Sequence, residues 1–299
     1  MTAHRIDLTD YIDIPVWYGC NSDCILCMLT GLKSRLPAIG FDVFRKIVSN
    51  IVHEGRYHNL ILSGAEVTTF VQLADFARFA SSFQWFGKIQ IQTNGRKLGD
   101  KQYLHHLVDA GVNEFFISVH GLEKVHDAIT RIPGAYRETM QGIRHLEDLG
   151  MDIITNTVFT RMNCGEVKIV MEDLCGRGVK ELQLWNYCPM EETDSRDLLV
   201  SMKDFSRFLP EILAVVLSSG KALVLKHFPQ CLDMGPPGFF DSRVPRLLIH
   251  EIFWRKFAEN RFGICPHADS CGATACSGLS MAHVRKYGDE RDLLRPIAP

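Results

Sequence analysis

Between residues 12 and 187 short β-rich runs alternate with stretches of helical period, and few topologies accept that rhythm. The runs fall at 14–18, 60–63, 89–93, 115–119, 153–158 and 182–185. Phe41, Phe44, Ile47, Val48, Ile51 and Val52 share one helical face after the first run. Val167, Val170, Met171 and Leu174 share another before the last run. Gly111, Gly150 and Gly178 each close a helical pattern just ahead of a run, as helix-stop glycines do. Six β-α units in succession predict an α/β fold with a parallel sheet and helices outside it. Pro15, in the first run, fits an edge strand, where a missing N–H is tolerated. A closed eightfold barrel has no edges. The expectation is therefore a partial (β/α)6 TIM-like barrel.

After residue 190 the rhythm changes. An acidic, turn-rich connection contains Glu191, Glu192 and Asp194. A helix follows with Phe205, Phe208, Leu209, Ile212, Leu213 and Val216 on one face. A short strand is expected at 222–225, a loop at 235–238 and a helix over 245–259. The tail from Phe262 is rich in Cys, Gly and Ala and has little periodicity. Such a segment buries little and needs something else to order it, and a metal centre would do so. The chain divides on this reading into a core, 1–190, and a C-terminal extension, 191–299.

The thiols lie where such a division needs them. Seven of the ten cysteines in 299 residues gather toward two ends: Cys20, Cys24 and Cys27 at one, Cys265, Cys271 and Cys276 at the other, with Cys231 ahead of these. The first seven residues lack the basic-then-apolar layout of a secretion signal, and no apolar run reaches membrane-span length. The cysteines therefore read as metal ligands or catalytic thiols in a reducing, cytoplasmic setting rather than as disulfides. Lys and Arg number 33 against 35 Asp and Glu, a net charge of -2, which gives no broad basic face for nucleic acid.

Cys20-Asn21-Ser22-Asp23-Cys24-Ile25-Leu26-Cys27 has the spacing C-x3-C-x2-C, in the loop after the first run. Three thiolates can ligate three irons of a four-iron, four-sulfur (4Fe-4S) cluster and leave the fourth open. Zinc is the other reading, but it would want a fourth protein ligand, and His4 is poorly placed by sequence.

The loop and the runs after it resemble the radical S-adenosylmethionine (radical SAM) superfamily over roughly residues 12–188. Ser63-Gly64-Ala65-Glu66 is similar to that family's Gly-Gly-Glu motif. Thr93-Asn94-Gly95, Ser118-Val119-His120-Gly121, His126-Asp127, Pro133-Gly134 and Asn156-Thr157-Val158 continue the likeness. Two positions depart from it: Leu26, where the family usually has an aromatic residue, and Ala65, where it has glycine. Alanine keeps the close backbone approach unless that position needs a positive φ.

The resemblance implies an activity. S-adenosylmethionine on the open iron would be cleaved by one electron to methionine and a 5′-deoxyadenosyl radical, which takes a hydrogen atom from a substrate C–H bond. It implies Cys20, Cys24 and Cys27 as cluster ligands. The backbone of Ser63, Gly64 and Ala65, with Glu66, would meet the cofactor's amino group. Thr93 and Asn94 would belong to the cofactor site, and Ser118 and Asn156 would meet its carboxylate and ribose. An electron donor such as a flavodoxin or ferredoxin is implied as partner. Nearly all these residues fall at the C-terminal ends of runs, where β/α barrels place their chemistry.

Cys231, Cys265, Cys271 and Cys276 supply four thiolates, enough for a second cluster or a structural zinc. Their layout resembles the shortened "twitch" form of the family's SPASM-type auxiliary-cluster extension, which implies a second (auxiliary) 4Fe-4S cluster. Cys164 and Cys175 read as packing residues. Cys188, after the sixth run, stands where a thiol could return a hydrogen atom to a substrate radical. His120, after the fourth, is a candidate base or orienting group. Glu191, Glu192 and Asp194 are either a solvated turn or a site for a cationic substrate.

The expectation is a radical SAM enzyme, of oxidoreductase or isomerase type, that acts on a peptide or another natural product. Epimerisation or dehydrogenation of a small polar molecule such as a carbohydrate is the alternative. A non-catalytic iron–sulfur or zinc scaffold is the reading from outside enzymology.

Overall fold

Every β-rich run forms a strand, and the chain between consecutive strands returns through helices. The structure is a computed structural model and describes residues 6–232, 238–274 and 276–298. His4 and most of the loop expected at 235–238 lie outside the described residues. The strands are β1 Tyr11–Trp17, β2 Asn59–Gly64, β3 Lys88–Thr93, β4 Glu114–Ser118, β5 Asp152–Phe159, β6 Val179–Asn186, β7 Ala222–Lys226 and β8 Arg246–Leu247. The helices are α1 Phe41–Glu54, α2 Leu73–Ser81, α3 Lys101–Asp109, α4 Glu123–Thr130, α5 Ala135–Asp148, α6 Val167–Cys175, α7 Met202–Ser219, α8 Glu251–Ala258 and α9 Met281–Tyr287.

All eight strands join one parallel sheet in the order β7-β6-β5-β4-β3-β2-β1-β8. The sheet curls into a partial barrel. Its two ends extend the six-strand expectation. β7 adds to β6, and the two-residue β8 adds to β1, so β1 is not an edge. Pro15 is tolerated because β8 pairs only Ile12 and Asp13, two residues short of it. The helix expected over 245–259 starts later, at Glu251, because Arg246 and Leu247 are spent on that pairing. Between the ends, Phe240 bridges Leu225 of β7 before the chain reaches β8. The fully buried Lys226 donates from Nζ to the carbonyls of Asp241 (3.2 Å) and Arg243 (2.6 Å). The open side of the barrel is thus crossed by residues 239–247.

The outer face of the sheet meets the helices through apolar side chains. Phe44 of α1 packs on Phe76 of α2 with centroids 4.4 Å apart, and Phe205 of α7 stacks on Phe228 at 3.9 Å. Burying each such ring stabilises the fold by about 1.5–3 kcal/mol. Gly111 and Gly150 take the left-handed φ that a helix stop needs, whereas Gly178 does not and instead donates its N–H to Glu147.

The inner face is polar, as period two requires when a barrel's lumen is a working space. At its base Glu114 accepts from Tyr11 (3.0 Å) and Gln90 (2.6 Å), and Glu181 accepts from Gln183 (2.7 Å). These buried groups satisfy one another, which is the condition for burying them at all. Among the described residues no helix is long and apolar enough to cross a membrane.

Candidate active site

The C-terminal ends of β1 to β6 open onto a cavity of about 320 Å³. Cys20, Cys24, Cys27, Ser63, Gly64, Ala65, Glu66, Thr93, Asn94, Ser118, His120 and Asn156 all line it. Residues up to 136 positions apart in sequence, from Cys20 to Asn156, too far for local pattern to relate, are brought to one space by the parallel register of the strands.

The cysteine loop is held from several sides. Ile25 donates its N–H to Ile129 (2.8 Å), at the end of α4. Asn94 donates from Nδ2 to Asn21 Oδ1 (2.7 Å), and Arg96 donates to the Asn21 carbonyl (2.7 Å). Arg196 donates to the Ile25 carbonyl (2.5 Å). Burial, with Cys27 and Cys20 close by, pushes the Cys24 thiol up to about 12, and burial also raises Cys20. Such thiols become thiolates when a metal centre faces them. Leu26 lines the cavity wall and packs on the cluster of Tyr187, Leu198, Leu199 and Ala282.

Position 64, not 65, carries the backbone demand at the end of β2. Gly64 has φ +140°, while Ala65 keeps a negative φ and donates its N–H to the Trp17 carbonyl (2.9 Å). The alanine therefore meets no steric penalty there. Glu66 is a brace. Its Oε1 accepts from Thr68 N (3.1 Å), Thr68 Oγ1 (2.6 Å) and Thr93 Oγ1 (2.6 Å), and its Oε2 accepts from Asn94 N (2.6 Å). It fastens the loop after β2 to the loop after β3, with little acceptor capacity left for a ligand.

Other groups on the rim are unsatisfied. Asn156 Oδ1 and His126 Nε2 are buried with no hydrogen-bond partner among the described residues, and both residues line the cavity. His126 Nδ1 accepts from His120 N (3.1 Å), so its proton belongs on the orphaned Nε2. One buried acceptor and one buried donor at the rim fit a ligand with hydroxyl and carboxylate groups, as S-adenosylmethionine has.

His120 does not have the geometry of a base. Burial, and then His126, push its pKa down to about 3, and its Nδ1 is taken by the Val158 N–H (3.3 Å). The neutral ring has only an N–H left to offer. Cys188 does not join the cavity at all. It is buried beside the smaller hollow, about 20 Å³, that residues 26–30 share with residues 187–196, and its S–H donates to the Asn186 carbonyl (3.3 Å). In the acidic turn Glu191 is exposed, while the other two acids are paired. Asp194 pairs with Lys286 (2.6 Å), and Glu192 pairs with Arg261 (3.0 Å) and with Arg285. These pairs fix the tail to the core.

The tail cysteines form a second group. Burial, together with nearby Cys276 and Cys265, raises the Cys231 thiol. Each of the four sulfurs accepts backbone N–H. Cys231 accepts from Arg295, Cys265 from His267 (3.4 Å), Cys271 from Ile297 (3.4 Å), and Cys276 from Gly278 (3.4 Å) and Gln230 (3.5 Å). Cys20 accepts from Ser22 N in the same way (3.4 Å). Cys164 and Cys188 do the opposite and donate S–H to carbonyls. Sulfurs surrounded by N–H donors suit cluster thiolates, whose potential such bonds tune. Among the described residues no three His, Cys, Asp or Glu side chains are arranged to hold a single metal ion. On a cubane each thiolate takes a different iron.

One lumen residue carried no signal in the sequence. Asp13 of β1 lines the cavity beside Ser63, whose hydroxyl it accepts, and burial pushes its carboxyl up to about 7. The native state then holds this proton more tightly than the unfolded chain does. Stability attached to it is fully present below the ordinary carboxylate range and is lost as pH rises toward 7. Asp13→Asn is expected to gain on the wild type between pH 5.5 and 8 in thermal melting. Parallel curves for the two proteins would refute this.

Comparison with known proteins agrees with this picture. The Radical SAM superfamily model matches residues 14–174, more than half of the chain. An AdoMet-dependent heme synthase of Methanosarcina barkeri is 27% identical over 194 residues, 64% of this chain and 54% of that protein. The sporulation killing factor maturation protein SkfB of Bacillus subtilis is 23% identical over 162 residues, 54% of this chain and 38% of that one. The chain thus spans about half or less of these relatives' own lengths. Among solved structures, Streptococcus suis SuiB bound to precursor peptide SuiA superposes with a TM-score of 0.59 at 14% identity, over 72% of this chain and 48% of that one. Native anSMEcpe with bound AdoMet gives 0.59 at 18%, over 72% and 63%. At these identities the structures speak for the fold alone. The family match begins inside β1 and reaches α6, so it takes in the cysteine loop and the rim from β1 to β5, and this chain belongs to the radical SAM superfamily.

Proposed function

We propose that this radical SAM enzyme abstracts a hydrogen atom from a peptide or another natural product in the course of its maturation. The observation that carries the reading is the convergence of Cys20, Cys24 and Cys27 with Ser63, Gly64, Ala65, Thr93, Asn94, Ser118 and Asn156 on one cavity. When bound, the 4Fe-4S cluster and S-adenosylmethionine supply the one-electron cleavage that yields methionine and a 5′-deoxyadenosyl radical. The three cysteines hold the cluster by three irons. The backbone of Ser63, Gly64 and Ala65 receives the cofactor's amino group, and Glu66 keeps that loop against Thr93 and Asn94. Asn156 Oδ1, Ser118 and His126 Nε2–H meet its hydroxyls and carboxylate. The peptide reading draws on SkfB, named as a maturation protein, and on SuiB, solved with a precursor peptide.

Residues 191–299 hold a second 4Fe-4S cluster on Cys231, Cys265, Cys271 and Cys276. An oxidative outcome is favoured over epimerisation. The tail offers a place for the substrate's electron, whereas Cys188 lines a separate small hollow behind Leu26, Cys27 and Met28. A flavodoxin or ferredoxin in the cytoplasm supplies the starting electron.

The test is direct. Anaerobically reconstituted protein, reduced with dithionite and given S-adenosylmethionine, is expected to release 5′-deoxyadenosine. None at all, with the cluster intact by absorbance, would leave only the scaffold reading.

A further inference from the structure

Two carboxylates line the cavity, Asp13 and Glu66. Glu66 is spent on the rim, with four donors on it. Asp13 is not. Its residue is 6% exposed, and the Ser63 hydroxyl is its side-chain partner among the described residues. A carboxylate accepts up to about four hydrogen bonds, so most of its capacity is unused. No ion pair with Asp13 exists among the described residues. Lys33, the lysine of the cavity wall, acts on Cys20 and Cys24 instead. A buried carboxylate with no cation is costly until a cation arrives.

The cavity also offers a surface that suits a cation. Phe116 of β4 and Trp185 of β6 line it as an edge-to-face pair, with centroids 6.2 Å apart. Trp185 is pinned by its Nε1–H on Gln183 Oε1 (2.8 Å), so its ring cannot turn away. Aromatic faces attract ammonium groups and pack their alkyl stems. Register places Asp13 beside Ile61 and Pro15 beside Ser63, so Asp13 lies one layer below the Ser63–Glu66 rim.

We propose that Asp13 anchors a protonated amine of the substrate, received between its carboxylate and the Phe116–Trp185 pair. This rests on the reading of the cavity as a radical SAM active site. The same chemistry has a second source, the α-ammonium of S-adenosylmethionine, which the test separates.

The probe is n-butylammonium chloride, with 1-butanol as its neutral counterpart. Each is titrated at pH 8 into the reconstituted full chain saturated with S-adenosylmethionine, and binding is read by ligand-observed NMR. The wild type is expected to bind the amine about tenfold more tightly than the alcohol, the scale of a hydrogen bond to a charged group. Asp13→Asn is expected to lose that preference, and Ser63→Ala, which leaves the carboxylate in place, to keep it. Equal binding of amine and alcohol by the wild type would overturn the proposal, even if no variant folds. So would a preference that survives in Asp13→Asn. The dissociation constant of S-adenosylmethionine, by equilibrium dialysis, is expected to stay within about twofold in Asp13→Asn; a loss near tenfold would assign the carboxylate to the cofactor's own ammonium and overturn the substrate role. Release of 5′-deoxyadenosine by the wild type without any amine reports on the radical SAM reading separately. Its presence alongside equal binding would fail this proposal alone.

Discussion

Replacing Cys20, Cys24 and Cys27 together by alanine is expected to abolish 5′-deoxyadenosine formation while about four irons per chain remain. Replacing Cys231, Cys265, Cys271 and Cys276 is expected to leave a similar count, about four, on the other site. The prediction follows from how the thiols are disposed. The first three line the main cavity, and the tail four do not. The two sets are held by different backbone donors: Ser22 for the first, Arg295, His267, Ile297, Gly278 and Gln230 for the second. No sulfur is shared, so loss of one centre need not empty the other. Iron analysis and absorbance on the two variants check this. Zinc without iron in the first variant would refute the second cluster. Surviving 5′-deoxyadenosine there would refute the site itself.

The proposed second cluster would matter to the fold as well. Residues 262–298 contribute one helix, α9, and a single antiparallel bridge, Ile264 to Leu279. Leu279 and Leu294 reach the main core, and Ala282 packs with Tyr187, Leu198 and Leu199. The remaining attachments are polar. Lys286 meets Asp194, Arg285 meets Glu192, and Glu290 accepts from Met202 N (2.8 Å) and Lys203 N (2.9 Å) at the start of α7. The partly exposed Arg285–Glu192 pair contributes about 0–1 kcal/mol, and the Asp194 carboxylate of the other pair is buried. On the two-cluster proposal, a metal centre tying residues 231, 265, 271 and 276 together would add to these contacts.

Most of the barrel was legible because its helices and strands obey different periods over enough residues to show them. β8 was not, because two residues carry no period. Their strand state comes from pairing with Ile12 and Asp13, some 234 positions away. The cavity rim was legible through motifs, since Ser63 to Glu66 and Thr93 to Gly95 sit just where strands end. Asp13 was invisible for the opposite reason. It lies mid-strand, where a lone acid reads as the solvent side of a period-two pattern, and only curling of the sheet turns that side into a lumen. Cys188 and His120 stand on the expected strand ends, but Cys188 lines the smaller hollow and His120, although it lines the cavity, has its Nδ1 taken by the Val158 N–H. A strand end fixes position to a residue, but the turn after it decides what the side chain faces. The acidic turn misled for a similar reason: its partners, Arg261, Arg285 and Lys286, lie about 70 to 90 residues on.

Gly64→Ala is expected to be the most damaging single methyl in the barrel, and Ala65→Gly, one residue on, nearly silent. Gly64 has φ +140°, a conformation that side chains rarely adopt, and a Cβ there would stand 1.9 Å from the Trp17 carbonyl oxygen. That oxygen cannot retreat cheaply. It accepts the Ala65 N–H, and the Trp17 side chain is fixed twice, by its Nε1–H on Thr69 (2.8 Å) and by stacking on Phe70 at 5.1 Å. Backbone strain and overlap together predict a loss of about 2–5 kcal/mol. Relief requires β1 and β2 to part at their upper ends, which would carry away the backbone proposed to meet the cofactor's amino group. Formation of 5′-deoxyadenosine should then fall more than about tenfold even in protein that remains folded. At position 65 the φ is ordinary, so glycine there only loosens the unfolded chain, at a cost of about 0.4–1 kcal/mol. Thermal melting and deoxyadenosine release on the two variants decide the matter. Equal behaviour would mean that the second residue of the motif, not the first, holds the turn. A stable, active Gly64→Ala would mean that the strands at this rim are free to move apart, and the cofactor's amino group would then have to be held elsewhere.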